Sequence, residues 1–139
     1  MIRKLFIDSD VILDVALGRK PFVDDSKRVL ALIEGGLALG VMSANSVTNM
    51  YYVLRKISSA SKARFFLRRI IELLHVVSVD HENIKLALES KFQDFEDGVQ
   101  NYCALKNQCD YIVTRNTDDY MFSELETLEP REIILLFNQ

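Results

Sequence analysis

The apolar run Leu5-Phe6-Ile7 stops at Asp8-Ser9-Asp10 and resumes as Val11-Ile12-Leu13-Asp14. An unbroken apolar run closed by carboxylates, followed by a renewed apolar pattern, predicts a buried strand over residues 2–7 and a short helix from about 10 to 17. Gly18 and the Lys20-Pro21 pair stop that helix. A second helix is expected from about 22 to 34, with Val29, Leu30 and Ile33 at helical spacing and Gly35-Gly36 behind them. Leu37 to Met42 reads as a short strand, and Ser43 precedes a helix from about 45 to 57. Ser58-Ser59-Ala60-Ser61 predicts a turn, after which a basic helix continues to about Leu74. His75 to Val79 reads as a strand, Asp80 as the cap of a helix to about Glu89, and residues 94–107 as a further helix. Asp110 to Thr114 is a strand and Asn116 to Met121 a short helical turn. Thr127 marks a last strand or a cap, ahead of a helix opened by Pro130. Strands alternating with helices predict a three-layer α/β/α sandwich around a central parallel sheet.

Composition narrows the class. The 139 residues are 49% hydrophobic and 27% charged, which is ordinary for a globular chain and enough to build a core. With five Gly and two Pro, and neither repeats nor a linker, one domain over residues 1–139 is expected. The net charge of -3 supplies no general basic field to draw in nucleic acid, so any such substrate needs cations placed locally. Cys103 and Cys109 have no disulfide framework and no Cys/His metal spacing around them, as expected of reduced thiols. No signal-peptide pattern opens the chain and no apolar run approaches a membrane span, so a soluble, cytoplasmic protein is expected. His75 and His81 read as structural or surface residues.

The candidate chemistry lies at strand ends, where α/β sheets bind ligands. Asp8 ends the first strand, in a position where part of its hydration must be lost. Ser9 and Asp10 have a second reading as N-caps of the helix that follows. Ser43 and Asn49 follow the second strand, and Thr114 and Asn116 follow the strand that ends near Val113. Asp94 and Asp97 are three apart, which places them on one helical face, where like charges repel unless solvated or bridged by a cation. For Asp94 and Glu96, a favourable interaction with the helix dipole is the alternative. Carboxylates gathered without His or Cys point to a hard cation, Mg²⁺ or Mn²⁺.

Four segments in order, Ile7 to Asp14, Ser43 to Lys56, Phe95-Glu96-Asp97-Gly98-Val99-Gln100 and Ile112-Val113-Thr114-Arg115-Asn116, resemble the PIN domain, the nuclease fold of VapC-like toxins. The resemblance spans essentially the whole chain, including the Pro130 helix. It implies a parallel sheet whose acidic strand ends bind Mg²⁺ or Mn²⁺ and hydrolyse RNA phosphodiesters. It assigns Asp8 as the first metal-binding carboxylate, Ser9 as the hydroxyl beside it, Asp97 as the third acid and Thr114 as the hydroxyl preceding the fourth. Two positions depart from the pattern: Asn49 stands at the second acidic position and Asn116 at the fourth. Amides offer a neutral oxygen and cancel no cationic charge, so weaker metal binding and a weakened nuclease are expected. Asp94, Glu96, Asp118 or Asp119 are the candidates to replace the lost charge, with Asp119 nearest in sequence to the fourth position. The expected catalytic set is therefore Asp8, Asp97, Asn116 and Asp119, and the expected ligands are Asp8, Asp97 and Asp94, with Ser9, Asn49 and Thr114 shaping the site. The resemblance also implies a homodimer and a small antitoxin whose tail fills a groove on the helices from about 45 to 74.

Arg55, Lys56, Lys62, Arg64, Arg68 and Arg69 place six of the seventeen basic residues in one segment. They read either as an RNA-contact surface, with Arg55, Lys56, Arg68 and Arg69 foremost, or as a solvated helix face. Tyr51 and Tyr52 read either as base-stacking groups or as core or interface residues. The same duality holds for Met50, Phe65, Phe66, Ile70 and Ile71. Two other functions fit parts of the chain. Asp8-Ser9-Asp10-Val11 matches the opening of haloacid-dehalogenase-like phosphatases, although no motif Lys is evident. A catalytically impaired module of the same PIN-like fold, binding RNA or a protein partner, is the alternative that Asn49 and Asn116 raise.

Overall fold

The computed structural model describes residues 1–138. In chain order the elements are β1 (Arg3–Ile7), α1 (Ser9–Leu17), α2 (Val23–Glu34), β2 (Ala38–Ser43), α3 (Ala44–Ile57), α4 (Ala60–Leu73), β3 (His75–Val77), α5 (His81–Glu89), α6 (Phe95–Lys106), β4 (Tyr111–Val113), a 3-10 turn (Thr117–Tyr120), β5 (Glu126–Leu128) and α7 (Pro130–Phe137). The strands form one sheet in the order β3-β2-β1-β4-β5, and every pairing is parallel. The chain winds outward from β1 through β2 to β3 and then returns to the other side of β1 as β4. The order therefore reverses between β1 and β4, and the crevice beyond their C-terminal ends is the place where such sheets take ligands.

Alternation along the strands divides the core in two. Leu5 and Ile7 of β1, Met42 of β2 and Val113 of β4 pack with residues of α1 to α4 and with Ile133 of α7. Phe6, Val41 and Ile112, one residue out of phase, face the other way and pack with Phe92, Cys103 and Tyr120. Leu5, Phe6 and Ile7 are all fully buried, which explains why β1 reads as a continuous apolar run. Truncating Ile7 to Ala would cost roughly 2–5 kcal/mol through lost burial and the cavity left behind. Gly40 permits the layers to approach: a methyl group there would lie 2.7 Å from Ile33 Cδ1 and nearer still to the Leu74 side chain.

The strands end where caps begin. The expected strand at 75–79 is only His75–Val77, because its last pairing is Val77 with Ser43, and Ser43 leaves the sheet to cap α3 by accepting the Ser46 N–H. β1 likewise stops at Ile7, paired with Val113, because Asp8 turns to cap α1. Thr127 lies within a strand, β5, opposite Ile112. Gly18 closes α1 at φ 62°, donating its N–H to Asp14 and Val15 carbonyls, in a left-handed conformation that suits glycine.

On α3 and α4, Met50 and Ile70 are buried in the core, Tyr51 and Phe66 are half-buried, and Tyr52, Phe65 and Ile71 are exposed. Both cysteines are free and buried, and burial pushes the thiols up to about 11 for Cys103 and about 12 for Cys109. Among the described residues no helix is long and apolar enough to cross a membrane.

Candidate active site

Asp8 leaves β1 in an extended conformation, which points its carboxylate across the crevice toward β4 while the helix starts behind it. Its Oδ1 accepts the Ser9 N–H at 2.8 Å. Its Oδ2 accepts from the Thr114 hydroxyl at 2.9 Å and from the Tyr120 hydroxyl at 3.3 Å. The helix cap is thus Asp8 itself, neither Ser9 nor Asp10, and the Asp10 carboxylate is released to turn into the crevice. There Asp10 Oδ2 accepts from the Asn116 amide at 2.8 Å and lies 3.2 Å from the Thr114 hydroxyl, while its Oδ1 is buried without a partner. Thr114 is fully buried, with its N–H on the Leu128 carbonyl at 3.0 Å and its hydroxyl accepting the Asn116 N–H at 3.1 Å. One hydroxyl from β4 therefore ties together two carboxylates from the start of the chain.

Asp97 enters from the first turn of α6 and is partly buried. The Tyr120 hydroxyl that donates to Asp8 also lies within the field of Asp97, whose charge adds to that of Asp8 in raising the phenol. Asp94 lies beside Asp97, as their spacing implies, and its charge is the first to act on that acid. It is also the N-cap of α6, accepting the N–H groups of Glu96 at 2.9 Å and Asp97 at 3.2 Å. Asn49 donates to Glu96 Oε1 at 2.8 Å, a contact between the second turn of α3 and the first turn of α6. Asp119 is exposed on the 3-10 turn, close enough for its charge to act on Asp97.

Burial is the first cause of the raised proton affinities here. Asp8 is held up at about 7 by burial, then by the charge of Asp10 and more weakly of Asp97, against the Thr114 and Ser9 hydrogen bonds. Asp97 is also raised to about 7, by burial and then by Asp94, Asp119 and Glu96. Asp10 is raised by burial, opposed first by the Arg115 guanidinium. The Tyr120 phenol is driven far upward by burial and by the surrounding carboxylates, so it remains a donor. Arg115 itself is committed elsewhere: its Nε lies 2.9 Å from Oδ2 of the fully buried Asp14, which Arg19 also approaches at 3.5 Å, and its guanidinium sits 4.4 Å over the Phe22 ring.

The donor set of this crevice fits a hard divalent cation. It consists of carboxylate, hydroxyl and amide oxygens, two of its acids are desolvated and mutually repelling, and one buried carboxylate oxygen has no partner. As they lie, no three acidic, His or Cys groups among the described residues stand close enough together to enclose an ion.

The predicted basic surface divides. Arg55 and Lys56 are exposed in the last turn of α3, while the two arginines of α4 diverge. Arg68 lines a groove with Tyr51, Tyr52 and Arg64, whereas Arg69 lines another with Phe66 and Glu72 and lies 5.9 Å over the Phe65 ring. Asp10, Arg115 and Tyr120 are site residues that sequence reasoning did not assign. For Asp10 the signal was its spacing two residues from Asp8. For Arg115 it was its place between Thr114 and Asn116. Nothing in the sequence marks where the Tyr120 hydroxyl points.

A parallel, doubly wound sheet with oxygen ligands crowded at its switch point defines a class, the α/β proteins with acidic strand-end sites. The chain belongs to the PIN domain family, whose family model matches residues 4–118. It is 25% identical over 140 aligned residues to Ribonuclease VapC1 of Aquifex aeolicus (strain VF5), covering 97% of this chain and 96% of that protein. Its fold is similar to that of VapBC2 from Rickettsia felis bound to a DNA fragment from the VapBC2 promoter, with a TM-score of 0.72, 11% identity and coverage of 91% of this chain and 98% of that one. It is also similar to VapC20 of Mycobacterium tuberculosis, a Sarcin-Ricin loop cleaving toxin, with a TM-score of 0.63, 14% identity and coverage of 78% and 86%. The phosphatase reading of Asp8-Ser9-Asp10-Val11 is set aside by this membership.

Proposed function

We propose that the protein is a Mg²⁺- or Mn²⁺-dependent endoribonuclease of the VapC toxin type, with Asp8, Asp10 and Asp97 as the acids that hold the cation. The observation that carries this reading is the convergence at the β1/β4 switch point of desolvated carboxylates, of which Asp10 is eased by the Arg115 guanidinium while Asp8 and Asp97 are acted on by other acids. A bound divalent ion there supplies charge neutralisation of the phosphodiester and lowers the pKa of a coordinated water. The chain's own residues prepare that place. Thr114 orients Asp8 and Asp10, Tyr120 donates to Asp8, and Asp94 fixes the start of α6 that carries Asp97. Ser9 turns the chain away from Asp8 through its N–H. Asn116 contributes a neutral amide, and Asn49 tethers Glu96. Asp10 and Asp119 restore part of the charge that the two amides give up, so the nuclease is weakened and still functional.

Arg55, Lys56, Arg68 and Arg69 are proposed as backbone contacts for the RNA on α3 and α4. The kinship with VapC proteins, one of them solved as a VapBC pair, supports a small antitoxin as partner. The exposed apolar side chains of Tyr52, Phe65 and Ile71 support a protein interface on α3 and α4, for the antitoxin or for a second copy in a homodimer. A cytoplasmic location goes with that reading.

Purified protein should cleave single-stranded RNA in Mn²⁺ and not in chelator, and Asp8→Asn and Asp97→Asn should each abolish cleavage. Cleavage that persists in both variants would belong to a contaminant and would overturn the proposal, as would its absence across metals and substrates.

A further inference from the structure

Beside the carboxylates lies a second concavity that the cleavage chemistry does not use. It measures about 260 Å³, and Phe22, Arg115 and Arg131 line it together with Asp25 and Glu129. Its position follows from the sheet. Thr114 and Leu128 are hydrogen-bonded neighbours at the ends of β4 and β5, so Arg115 and Glu129, one residue further on, flank the same edge as the acids. Arg115 joins the two places, since it acts on Asp10 on one side and forms a wall of the pocket on the other.

The lining is chemically mixed in a definite way. Phe22 offers a partly exposed aromatic ring, one face of which is covered by the Arg115 guanidinium, so that ring and guanidinium form one stacked unit, and Pro21 and Pro130 complete the apolar part. Arg131 supplies the cationic donors for a phosphate, and Asp25 and Glu129 are acceptors for amino groups. An aromatic and guanidinium platform with phosphate donors at its rim is what an unstacked ribonucleotide needs. Carboxylates at the wall select bases that present an exocyclic amino group, as cytosine does, and disfavour uracil.

We infer that this pocket binds one nucleotide of single-stranded RNA flanking the scissile phosphodiester, with the base stacked on Phe22 and the phosphate on Arg131. The flanking role rests on the proposed nuclease activity; binding of RNA in the pocket does not.

The test uses the full chain in chelator, so that no cleavage intervenes, and single-stranded oligoribonucleotide probes of cytidine or uridine. Ultraviolet irradiation with 5-bromocytidine in the probe should crosslink the peptide that contains Phe22. The cytidine probe should bind more tightly than the uridine probe. Phe22→Ala and Phe22→Leu should each weaken cytidine binding about fivefold or more, and Leu keeps the apolar contact should Ala disturb Arg115. Arg131→Ala should reduce the salt dependence of binding by a slope of about 0.7. Crosslinking confined to other peptides, with unchanged affinity in the Phe22 variants, would overturn the inference and leave the pocket to a protein segment or to nothing. RNA cleavage that needs Asp97 but is indifferent to Phe22 would remove the pocket and keep the nuclease. A Phe22 crosslink in a protein that never cleaves RNA would do the reverse.

Discussion

Asp10 and Asp14 stand one turn apart on α1, and their surroundings are opposite. Asp14 is fully buried and is met by two guanidiniums, Arg115 at 2.9 Å and Arg19 at 3.5 Å. Asp10, with Asp8 and Asp97, is surrounded mainly by other acids, and its strongest charge compensation comes from that same Arg115, already engaged with Asp14. Where the fold buried a carboxylate for its own architecture, it set opposite charges beside it. At the strand ends it left buried negative charge in excess, and the proton affinities of Asp8 and Asp97 are raised first by that burial and then by the neighbouring acids. A site built in this way costs stability until a proton or a metal ion enters.

Removing the compensation from the balanced region should have the largest effect. Arg115→Ala leaves the buried Asp14 with Arg19 alone and should destabilise the fold by about 3–5 kcal/mol, read from denaturant unfolding. If the loss is below about 1 kcal/mol, Arg19 alone satisfies Asp14 and the two regions are less different than they look.

Removing charge from the unbalanced region should act in the opposite direction. Asp8 titrates at about 7 in the folded protein and at 3.8 when unperturbed, so between those values the folded state holds more protons than the unfolded one. Stability in chelator therefore falls as pH rises from about 4 to 7, and this penalty stays at its full size above 7. Asp8→Asn escapes it and should be more stable than wild type by roughly 2–4 kcal/mol at pH 8. At pH 4 the two should melt together. Equal stability at both pH values would show that Thr114 and Ser9 already satisfy the charge.

A smaller effect is expected where charge is added. Asn116 now donates to Asp10 at 2.8 Å, and Asn116→Asp replaces that bond with repulsion. The metal-free protein should lose about 1 kcal/mol, and Mn²⁺ should bind roughly tenfold more tightly. Unchanged metal affinity would show that Asp119 already serves in that position.

How much of this was legible in the sequence depends on the kind of relation involved. The parallel sheet and the meeting of Asp8, Thr114 and Asn116 at one edge could be read, because strand ends of one sheet share an edge and hydrophobic runs mark the strands. Capping was misplaced. A carboxylate that ends a strand and one that begins a helix are neighbours in sequence, and only the backbone turn at Asp8 decides which of them caps and which faces the crevice. The spacing of Asp94 and Asp97 does bring the two charges together, but that Asp94 also caps α6 depends on the backbone turn ahead of the helix. Contacts between distant segments left no periodic trace at all. Asp14 with Arg115, Asn49 with Glu96 and Tyr120 with Asp8 are set by how the layers close on one another, so a one-dimensional pattern does not contain them.

The excess of negative charge at the strand ends is measured most directly by titrating metal-free protein with Mn²⁺ near pH 6.5, calorimetrically, in two buffers of different ionisation enthalpy. If Asp8 and Asp97 carry protons there that an entering cation must displace, the apparent binding enthalpy will differ between the buffers by an amount that reports net proton release. That release will shrink as the pH is raised above 8. Binding with the same enthalpy in both buffers, or no binding at all, would contradict the claim that the crevice is poised to exchange protons for a metal ion.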